Sequence, residues 1–408
     1  MRCLIITNHC ITDPTAGAMR SLRTMAKWLT EDGHPSRIVT TARFGSPVPF
    51  TIDEHLQTVA DLAPMPPHPK GGRLAKAAPA PIARYGTEGV PVSLLMTRHN
   101  DEGRPDRGES AQFLALIGQT LDEFTPDLVV ACNGHPMIRA ALAAARSHGA
   151  KTVFALRGYG YDDRRFFDHV DGVLTCSRFL TESYRRRIGI DSTPIPPPLD
   201  WASIEAPMEP RGFVTFVHPA PHKGLFHFAR LAAMLGSRRP DIPVLVVGSG
   251  HSAGALNGIP GIDFSQYPHI VAAPAVASPA DYLALTRLLL VPSVFDEPFG
   301  RVAAEAMVNG IPPIVSDRGG LPEVVGGDLA SGGGGRVLPL PAWLNVASTR
   351  TPTEAEVEPW FAAVCALWDD EALYARTAGA GRRIAAELYA EDVLRTAHLG
   401  FFRAIAGA

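Results

Sequence analysis

The chain has 408 residues, enough for two or three domains of about 150 residues, each with a full hydrophobic core. Its 38 basic and 41 acidic side chains give a net charge of −3, which excludes a globally basic nucleic-acid-binding protein. With 46% hydrophobic residues, 38 glycines and 37 prolines, the composition indicates a globular chain rich in loops.

The cysteines and the apolar runs indicate in which cellular compartment the protein is expected. Five cysteines are widely spread, without CxxC spacing, so neither a disulfide framework nor a structural zinc site is expected. The first apolar run is too short for a signal peptide. The sequence also has no stretch of 18 apolar residues, the length that a membrane-spanning helix needs. We therefore expect a cytoplasmic protein without a metal site.

Short apolar runs alternate with helical patterns through the first half of the chain. Strands are predicted over 3–7, 37–41, 127–131, 152–156 and 172–175, with helices over 18–29 and 137–146. Continuous apolar strands separated by helices indicate a parallel sheet covered on both faces.

Between Pro64 and Pro105 this alternation fails. Eight prolines punctuate a stretch that is also rich in glycine and basic residues. Because proline cannot donate to a strand ladder, we expect a long surface excursion over 64–105. A variable insertion without function remains the alternative.

A run of prolines over 194–198 divides the chain. Beyond it, strands are predicted over 213–217, 243–247, 288–291 and 313–316, with a helix over 226–235 and a mostly helical end over 371–408. We expect an α/β protein of two Rossmann-like, doubly wound domains, 1–198 and 199–384, facing a central cleft. The helix over 385–408 is expected to pack back on the N-terminal domain. Ligands of such sheets bind outside the carboxyl ends of the strands.

The segment from Val291 onward carries the most informative pattern. A helix is predicted over 299–309, with Pro298 in its first turn. The amides of Phe299, Gly300 and Arg301 would then face outward from a positive helix end, a favourable place for an anion or for sugar hydroxyls. Glu297 and Glu305 would be separated by up to ~12 Å, which suits two ends of one extended ligand. The alternative is a dipole-complementing Glu297 and a solvated Glu305.

The pattern Glu297-x7-Glu305, with Gly319-Gly320-x-Pro322-Glu323 after it, resembles the signature of retaining, family-four-type glycosyltransferases of GT-B fold. The resemblance implies that Glu297 contacts the donor sugar, that the amides of 299–301 hold its hydroxyls, and that Glu305 bonds the ribose. Gly319 and Gly320 would form a tight turn at the cleft, and Glu323 would support structure.

The loop His218-PAPHKG-Gly224 follows a predicted strand and precedes a helix. The corresponding loop of the family carries an Arg and a Lys on the donor diphosphate, and Lys223 matches the Lys. A fixed ammonium there would stabilise charge on a leaving nucleoside diphosphate. His218 stands near the place of the missing Arg and is a candidate cleft residue. Gly248, in a Gly-Ser-Gly after the next strand, resembles the family's glycine turn near the nucleotide.

Three positions in the N-terminal half complete the predicted site. Gly17 lies in the first strand–helix turn, where relatives bring the backbone close to the donor phosphates or the acceptor. Arg157 stands where many relatives have a His near the donor sugar, and it could supply the missing cation; an ion pair with Asp162 or Asp163 is the alternative. His135 follows another strand and could line the cleft or be structural.

The resemblance implies transfer of a sugar from a nucleoside diphosphate sugar, UDP favoured over GDP, with retention of the anomeric configuration. No Asp-x-Asp occurs, which fits a metal-independent enzyme, and no cofactor is expected besides the donor co-substrate. The acceptor would be a saccharide, a lipid-linked or a small molecule. The run from Tyr184 to Arg187 suits either peripheral membrane contact or a solvated helix face. An epimerase or hydrolase on the same fold and a noncatalytic sugar-nucleotide-binding protein remain alternatives.

Overall fold

The structure, a computed structural model, describes residues 1–45, 48, 50–59, 80–97, 105–207, 211–248, 253–276 and 278–407. The chain divides into two compact units: Met1–Cys176, Thr181–Pro198 and Leu394–Ala408 form unit 1, and Ser177–Leu180 and Leu199–Val393 form unit 2. The sequence placed boundaries after residues 198 and 384. The chain changes units after Pro198 and after Val393, and Ser177–Leu180 belongs to unit 2 although it lies within the predicted first domain.

The secondary structure of unit 1 alternates as the apolar runs predicted. Its strands are β1 (Cys3–Thr7), β2 (Ser36–Thr41), β3 (Ile82–Thr87), β4 (Val90–Leu95), β5 (Leu128–Cys132), β6 (Lys151–Leu156), β7 (Gly172–Thr175) and β8 (Thr193–Pro194). Its helices are α1 (Gly17–Glu31), α2 (Ile52–Val59), α3 (Arg107–Phe124), α4 (Pro136–Ser147) and α5 (Arg178–Ile188), whose first three residues count in unit 2.

The described strands of unit 1 form one sheet in the order β3-β4-β2-β1-β5-β6-β7-β8. Every pairing among them is parallel except that of β3 with β4. All five residues of β1 and of β5 are buried, as expected for central strands covered on both faces. The order reverses between β1 and β5, the point at which open α/β sheets bind ligands.

The predicted surface excursion over 64–105 is wrong for its middle part. Residues 80–97 contain β3 and β4, and β4 pairs with β2 in the sheet. Pro91 is tolerated because pairing with β2 begins one residue later, at Val92, while Pro81 precedes β3. The prolines at 64, 66, 67, 69 and 79 lie outside the described residues.

The second unit contains a second parallel sheet. Its strands are β9 (Phe213–Val217), β10 (Val244–Val247), β11 (Ile270–Ala273), β12 (Thr286–Val291), β13 (Pro313–Ser316) and β14 (Arg336–Leu338). Its helices are α6 (Trp201–Ile204), α7 (Leu225–Arg238), α8 (Pro279–Leu283), α9 (Arg301–Val308), α10 (Leu321–Val324), α11 (Glu354–Asp369) and α12 (Glu371–Leu388).

The described strands of unit 2 lie in the order β11-β10-β9-β12-β13-β14, and their pairings are all parallel. This is the doubly wound order 3-2-1-4-5-6, with the reversal between β9 and β12. Both units are therefore Rossmann-like α/β domains, as the sequence predicted.

The last helix, α13 (Glu391–Ala406), belongs to unit 1 from Leu394 onward. Its Phe402 is fully buried in the core of that unit. Arg395 anchors it to the end of α1, with ion pairs of 2.5 Å to Asp32 and 3.0 Å to Glu31. Among the described residues, no helix is long and apolar enough to cross a membrane.

Candidate active site

Lys223 and Glu297 meet at the strand-order reversal of unit 2. Lys223 follows β9 and Glu297 follows β12, and the carboxyl ends of these neighbouring parallel strands lie side by side. The Lys223 ammonium donates to Glu297 Oε1 at 2.7 Å. The Lys223 side chain is 27% exposed and that of Glu297 is 9% exposed. A half-buried cation therefore stands beside a nearly buried carboxylate at the place where such sheets bind ligands.

A second donor fixes the Glu297 carboxylate. The Ser293 hydroxyl, fully buried, donates to Glu297 Oε1 at 2.6 Å. The Ser293 carbonyl in turn accepts a 2.7 Å hydrogen bond from the Ser316 hydroxyl. In the described part of the chain, Glu297 Oε2 has no hydrogen-bond partner. One carboxylate oxygen is thus held by the protein, while the other can accept from a ligand.

A glycine turn sets the position of Lys223. Pro221–Lys223 form one 3₁₀ turn, and Gly224 follows in the left-handed region at φ +89°. A Cβ on Gly224 would lie 1.9 Å from the Pro292 carbonyl oxygen, so no other residue fits here without backbone movement. The Lys223 ammonium also lies 4.8 Å from the centre of the Phe295 ring, a favourable cation–π distance.

The predicted tight turn at Gly319 and Gly320 lies directly against Glu297. Gly319 has φ +62°, and a Cβ there would come within 2.3 Å of the backbone nitrogen and oxygen of Glu297. The Gly320 amide donates to the Glu297 carbonyl at 2.7 Å. The turn therefore fixes the backbone of Glu297 and leaves no room for larger residues at Gly319.

Glu323 has a supporting position. Its carboxylate accepts hydrogen bonds from the amides of Arg178, at 3.0 Å, and of Phe179, at 3.1 Å. These are first-turn amides of α5, which have no partner within the helix. Glu323 thus holds two amides of the segment Ser177–Leu180, which belongs to the same unit.

The predicted start of the helix after Glu297 is wrong. Gly300 is the N-cap of α9 at φ +111°, so the helix begins at Arg301, and Pro298 lies outside its first turn. A left-handed residue cannot continue an α-helix backward, which explains the later start. Of the three predicted amides, that of Arg301 is the first in the helix, while those of Phe299 and Gly300 precede it.

The alternative of a solvated Glu305 is also wrong. Glu305 is 1% exposed, and its Oε1 accepts from Arg301 Nε at 3.2 Å. Burying a carboxylate is costly unless a cation accompanies it, so Glu305 and Arg301 act as a pair one helical turn apart. Arg301 presents the partly exposed end of this pair, with 13% of its side chain exposed.

The structure places His218 and Gly248 at neighbouring strand ends. His218 follows β9 with φ +64°, unusual for a non-glycine residue. Its ring lies 5.7 Å from that of His222, which lies 5.4 Å from that of Phe295, the ring that also faces Lys223. Gly248 follows β10, and its amide bonds the Ala273 carbonyl. The rest of the predicted Gly-Ser-Gly turn, 249 and 250, lies outside the described residues.

In unit 1, Gly17 is the first residue of α1, and no side chain caps that helix at Ala16. The preceding turn is held by Asp13, which is 2% exposed. Asp13 accepts from the Thr15 amide at 2.8 Å and from the Gly45 amide at 2.6 Å. His135 caps α4, with Nδ1 accepting from the Met137 amide at 3.3 Å, so it has a structural position.

Arg157 directly follows β6, and its guanidinium is unusual. All three of its nitrogens are buried without a hydrogen-bond partner. The expected alternative partners are engaged elsewhere, Asp162 by Arg187 and Asp163 by Arg165. Within the described residues, the guanidinium therefore has no compensating anion.

The charge of Arg157 lowers the pKa of two buried neighbours. Burial raises the pKa of the Cys132 thiol to about 11, against a lowering effect of Arg157. Burial, and after it the Arg157 charge, lower the pKa of His398 to about 3. His398 Nδ1 bonds the Leu394 carbonyl at 2.8 Å, while its Nε2 is buried without a partner.

Two sequence families match the chain. The profile described as "Glycosyltransferase Family 4" matches residues 15–201. The profile described as "Glycosyl transferases group 1" matches residues 212–338, which include Lys223, Glu297, Glu305 and Gly319. The chain belongs to the family-four type of glycosyltransferases.

Individual relatives of this glycosyltransferase are distant. The chain is 24% identical over 164 residues to "Uncharacterized glycosyltransferase YqgM" of Bacillus subtilis, a match to 39% of the chain and 45% of that relative's length. It resembles a glycosyltransferase from Rickettsia africae (TM-score 0.68, 14% identity, 99% of this chain and 98% of that chain). It also resembles Anabaena Alr3699/HepE in complex with UDP and glucose (TM-score 0.66, 16% identity, 98% of both chains). At such identities, these structures show a shared GT-B fold.

Sequence reasoning missed several residues that support the family motif. Ser293 holds Glu297, Phe295 faces Lys223, and Asp13 ties the turn before α1. Ser293 stands two residues after a buried strand and four before Glu297, a spacing that could have indicated a hydroxyl at the strand edge. Asp13 gave no comparable signal, because its partner Gly45 is distant in sequence.

Proposed function

We propose that this glycosyltransferase moves a sugar from a nucleoside diphosphate sugar to an acceptor hydroxyl with retention of configuration at the anomeric carbon. The observation that carries the proposal is the contact of Lys223 with Glu297 at the strand-order reversal of unit 2. The likeness to HepE, crystallised with UDP and glucose, favours a UDP-sugar over a GDP-sugar.

Lys223 is proposed to hold the donor diphosphate. An ammonium has three N–H donors, and one of them serves Glu297 Oε1. The others can reach phosphate oxygens, since 27% of the side chain is exposed. A fixed cation stabilises the charge that develops on the diphosphate as the sugar–oxygen bond breaks. This role requires no metal ion.

Glu297 is proposed to hold the sugar. Its Oε1 is fixed by Ser293 and Lys223, so Oε2 has a defined direction from which to accept a sugar hydroxyl. A negative charge there also stabilises the positive charge that the sugar ring gains in the transition state. Glu305 is proposed to hold the ribose, with Arg301 as its charge partner.

The reaction is proposed to proceed on one face of the sugar. The acceptor oxygen forms a bond to the anomeric carbon while the bond from that carbon to the diphosphate oxygen breaks. The acceptor proton passes to a diphosphate oxygen, so the products are the glycosylated acceptor and the nucleoside diphosphate. This route requires no covalent sugar–enzyme intermediate.

Arg157 is proposed to bind an anionic group of a substrate. A buried guanidinium without a partner is costly, and an anion would satisfy its donors. A phosphate of the donor and an acidic group of the acceptor share this chemistry. If replacement of Arg157 lowers the affinity for UDP, the anionic group is a phosphate of the donor. If the replacement raises only the KM of the acceptor, the anionic group belongs to the acceptor.

The acceptor is proposed to be a saccharide, a lipid-linked saccharide or a small molecule, in a cytoplasmic reaction. Peripheral membrane contact through α5 belongs to this proposal. However, Arg185 and Arg186 are paired with Glu182 at 3.0 and 3.1 Å, and Arg187 with Asp162. These pairs lower the local positive charge and favour a weak contact with anionic lipid.

The test is a donor screen followed by product analysis. Thermal shifts with UDP-, GDP- and ADP-sugars identify the donor, and mass spectrometry with candidate acceptors detects transfer in excess EDTA. We expect a UDP-sugar to stabilise the protein and transfer to persist without metal. Inversion at a sugar carbon without acceptor would favour an epimerase, and an absolute need for Mg²⁺ or Mn²⁺ would contradict the role of Lys223.

A further inference from the structure

A polar groove lies on the surface of unit 2, on the outer side of α7. It has a volume of about 480 Å³, within the range of ligand sites of proteins. Its lining comes from one face of α7, from the segment before β11 and from the first residue of α11: Arg230, Ala233, Ser237, Gly261, Ile262, Asp263, Gln266, Tyr267 and Glu354. None of these residues is among the proposed donor-binding residues Lys223, Glu297, Arg301 and Glu305.

The groove lies further along α7 than Lys223 does. Lys223 lies just before the N-terminus of this helix, while Arg230, Ala233 and Ser237 lie between its middle and its C-terminal end. At 1.5 Å per residue, they lie roughly 8 to 18 Å along the axis from Leu225. A ligand in the groove would therefore leave the donor residues accessible.

A glycine inside α7 makes room for the aromatic wall of the groove. A Cβ on Gly236 would lie 2.5 Å from Tyr267 Cδ1, so the ring rests directly on the helix backbone. A glycine inside a helix costs about 1 kcal/mol relative to alanine. The helix accepts this cost at the position where the Tyr267 ring packs.

Several polar side chains of the groove are held in place by the protein. Arg230 Nε donates to the Pro352 carbonyl at 2.9 Å. Asp263 accepts from the Ser265 hydroxyl at 2.6 Å and from Gln266 Nε2 at 3.1 Å. Such contacts reduce the entropy lost when a ligand is bound.

Other polar atoms of the groove make no side-chain hydrogen bond in the described part of the chain. They are the Tyr267 hydroxyl, Gln266 Oε1 and the Glu354 carboxylate. The groove thus offers both donors and acceptors around one aromatic ring. Its charges are one cation, Arg230, and two carboxylates, Asp263 and Glu354, a balance that disfavours nucleotides and other anions.

We propose that this groove binds a neutral saccharide, as an accessory site for the glycan on which the enzyme acts. A flat aromatic ring with planar polar side chains around it matches the apolar faces and the hydroxyls of a sugar ring. The identification of that glycan as acceptor or product rests on the proposed function. A second hold on the same glycan raises its effective concentration at the reacting end.

The test is saturation-transfer NMR and calorimetry with maltohexaose, laminarihexaose and tetra-N-acetylchitotetraose on the full chain. We expect at least one of them to bind with a millimolar Kd. Tyr267→Ala should weaken that binding by at least about tenfold, since stacking area is lost. Tyr267→Phe keeps the ring and should retain most of the affinity, whereas Val271→Ala, at an exposed position on β11, should change nothing.

UDP binding separates this inference from the proposed function. Tyr267→Ala should keep the UDP affinity of the unmodified chain, which also shows that it folds. Absence of binding by all three oligosaccharides at millimolar concentration overturns the inference, as does equal binding by Tyr267→Ala. Oligosaccharide binding without sugar transfer would instead overturn the proposed function and leave the groove standing.

Discussion

The parallel core strands of the two units follow one order, but the charged candidate residues of the two units differ in their pairing. In unit 2, the functional candidates are paired: Lys223 with Glu297 at 2.7 Å, and Arg301 with Glu305 at 3.2 Å. In unit 1, Arg157 directly follows strand β6, and its buried guanidinium has no hydrogen-bond partner among the described residues. The same topology therefore supports one preorganised set of charges and one uncompensated charge.

The difference indicates what each unit contributes to function. A carboxylate held by two donors has little freedom to reorganise, which is the property that transition-state stabilisation needs. An unpaired buried cation reduces the stability of the protein, and this cost is offset only when an anion binds to it. Under the proposed function, the Lys223–Glu297 pair of unit 2 is organised before substrate binds, whereas Arg157 of unit 1 gains a partner only when a substrate anion binds.

The first prediction separates the two glutamates of unit 2. Glu297→Gln should lower kcat by about 10²- to 10³-fold, because the charge that stabilises the sugar cation is lost. Glu305→Gln should instead raise the donor KM by about tenfold with a smaller change in kcat, since the ribose does not change during transfer. Steady-state kinetics with the donor identified by the screen measures both.

Melting temperature is the control for this pair of variants. Gln at position 297 can still accept from Ser293 and Lys223, so near-native melting is expected. Unchanged kcat in Glu297→Gln would remove the carboxylate from the mechanism. If both variants unfold, the two glutamates are structural.

The second prediction compares the cations of the two units. Lys223→Met leaves Glu297, only 7% exposed, without its ion-pair partner, and should destabilise the protein by about 1–2 kcal/mol. Arg157→Met removes an unpaired buried charge and should stabilise by about 1–2 kcal/mol, which raises Tm by a few degrees. Both variants should lose transfer activity.

Thermal unfolding of the two Met variants decides this comparison. Opposite signs of the Tm change are expected, together with loss of activity in both. A lower Tm for Arg157→Met would show that the guanidinium has a stabilising partner in solution. Arg157→Lys, which keeps the charge, should not share the stabilisation.

The fold could be predicted from sequence where burial dominates. Runs such as 3–7 and 213–217 are apolar on both faces, so a central parallel strand is the main way to bury them. Residues 80–97 could not, because their prolines indicate a loop locally while pairing with β2 places them in the sheet. The strand β4 depends on a partner that is more than 50 residues away.

Prediction of the site was limited in the same way. The motif around Glu297 identified the family. The start of α9, however, depends on the positive φ of Gly300, a residue that packs closely against Leu321. Sequence also could not show that Lys223 and Glu297 touch, or that the Arg157 guanidinium has no hydrogen-bond partner in the part of the chain that the structure describes. Both facts arise from contacts between strand ends that are distant in the chain.

The third prediction concerns a property that the units share. His227 in unit 2 and His398 in unit 1 are buried, and burial lowers the pKa of each to about 3. The unfolded chain binds protons at these residues below pH 6.5, so stability is lost as pH falls below that value. By pH 5, each should cost about 2 kcal/mol.

Urea unfolding at pH 7.5 and pH 5 measures this effect. His227→Phe and His398→Phe should each reduce the loss of stability between the two pH values, since Phe has no proton to bind. His148→Gln, at an exposed position, is the matched control and should keep the original loss. If neither Phe variant reduces the loss, these histidines have partners in solution.

The smallest expected effect concerns the anchor of α13 on unit 1. Arg395 holds Asp32, and this hydrogen bond is the main cause that lowers the pKa of Asp32. The contribution of this hydrogen bond to stability is present above the ordinary pKa of 3.8 and is lost as pH falls through the lowered value.

Since the side chains of Arg395 and Asp32 are about a quarter exposed, Arg395→Met should cost only about 0.5–1 kcal/mol of stability at pH 7. Hydrogen exchange of α13 should accelerate accordingly at pH 7, and the difference between the variant and the parent should shrink as the pH falls below 3.8. Arg383→Met, which removes the exposed pair with Glu387 in unit 2, should leave exchange of α13 unchanged. Equal acceleration in both variants would show that the anchor is not specific to unit 1.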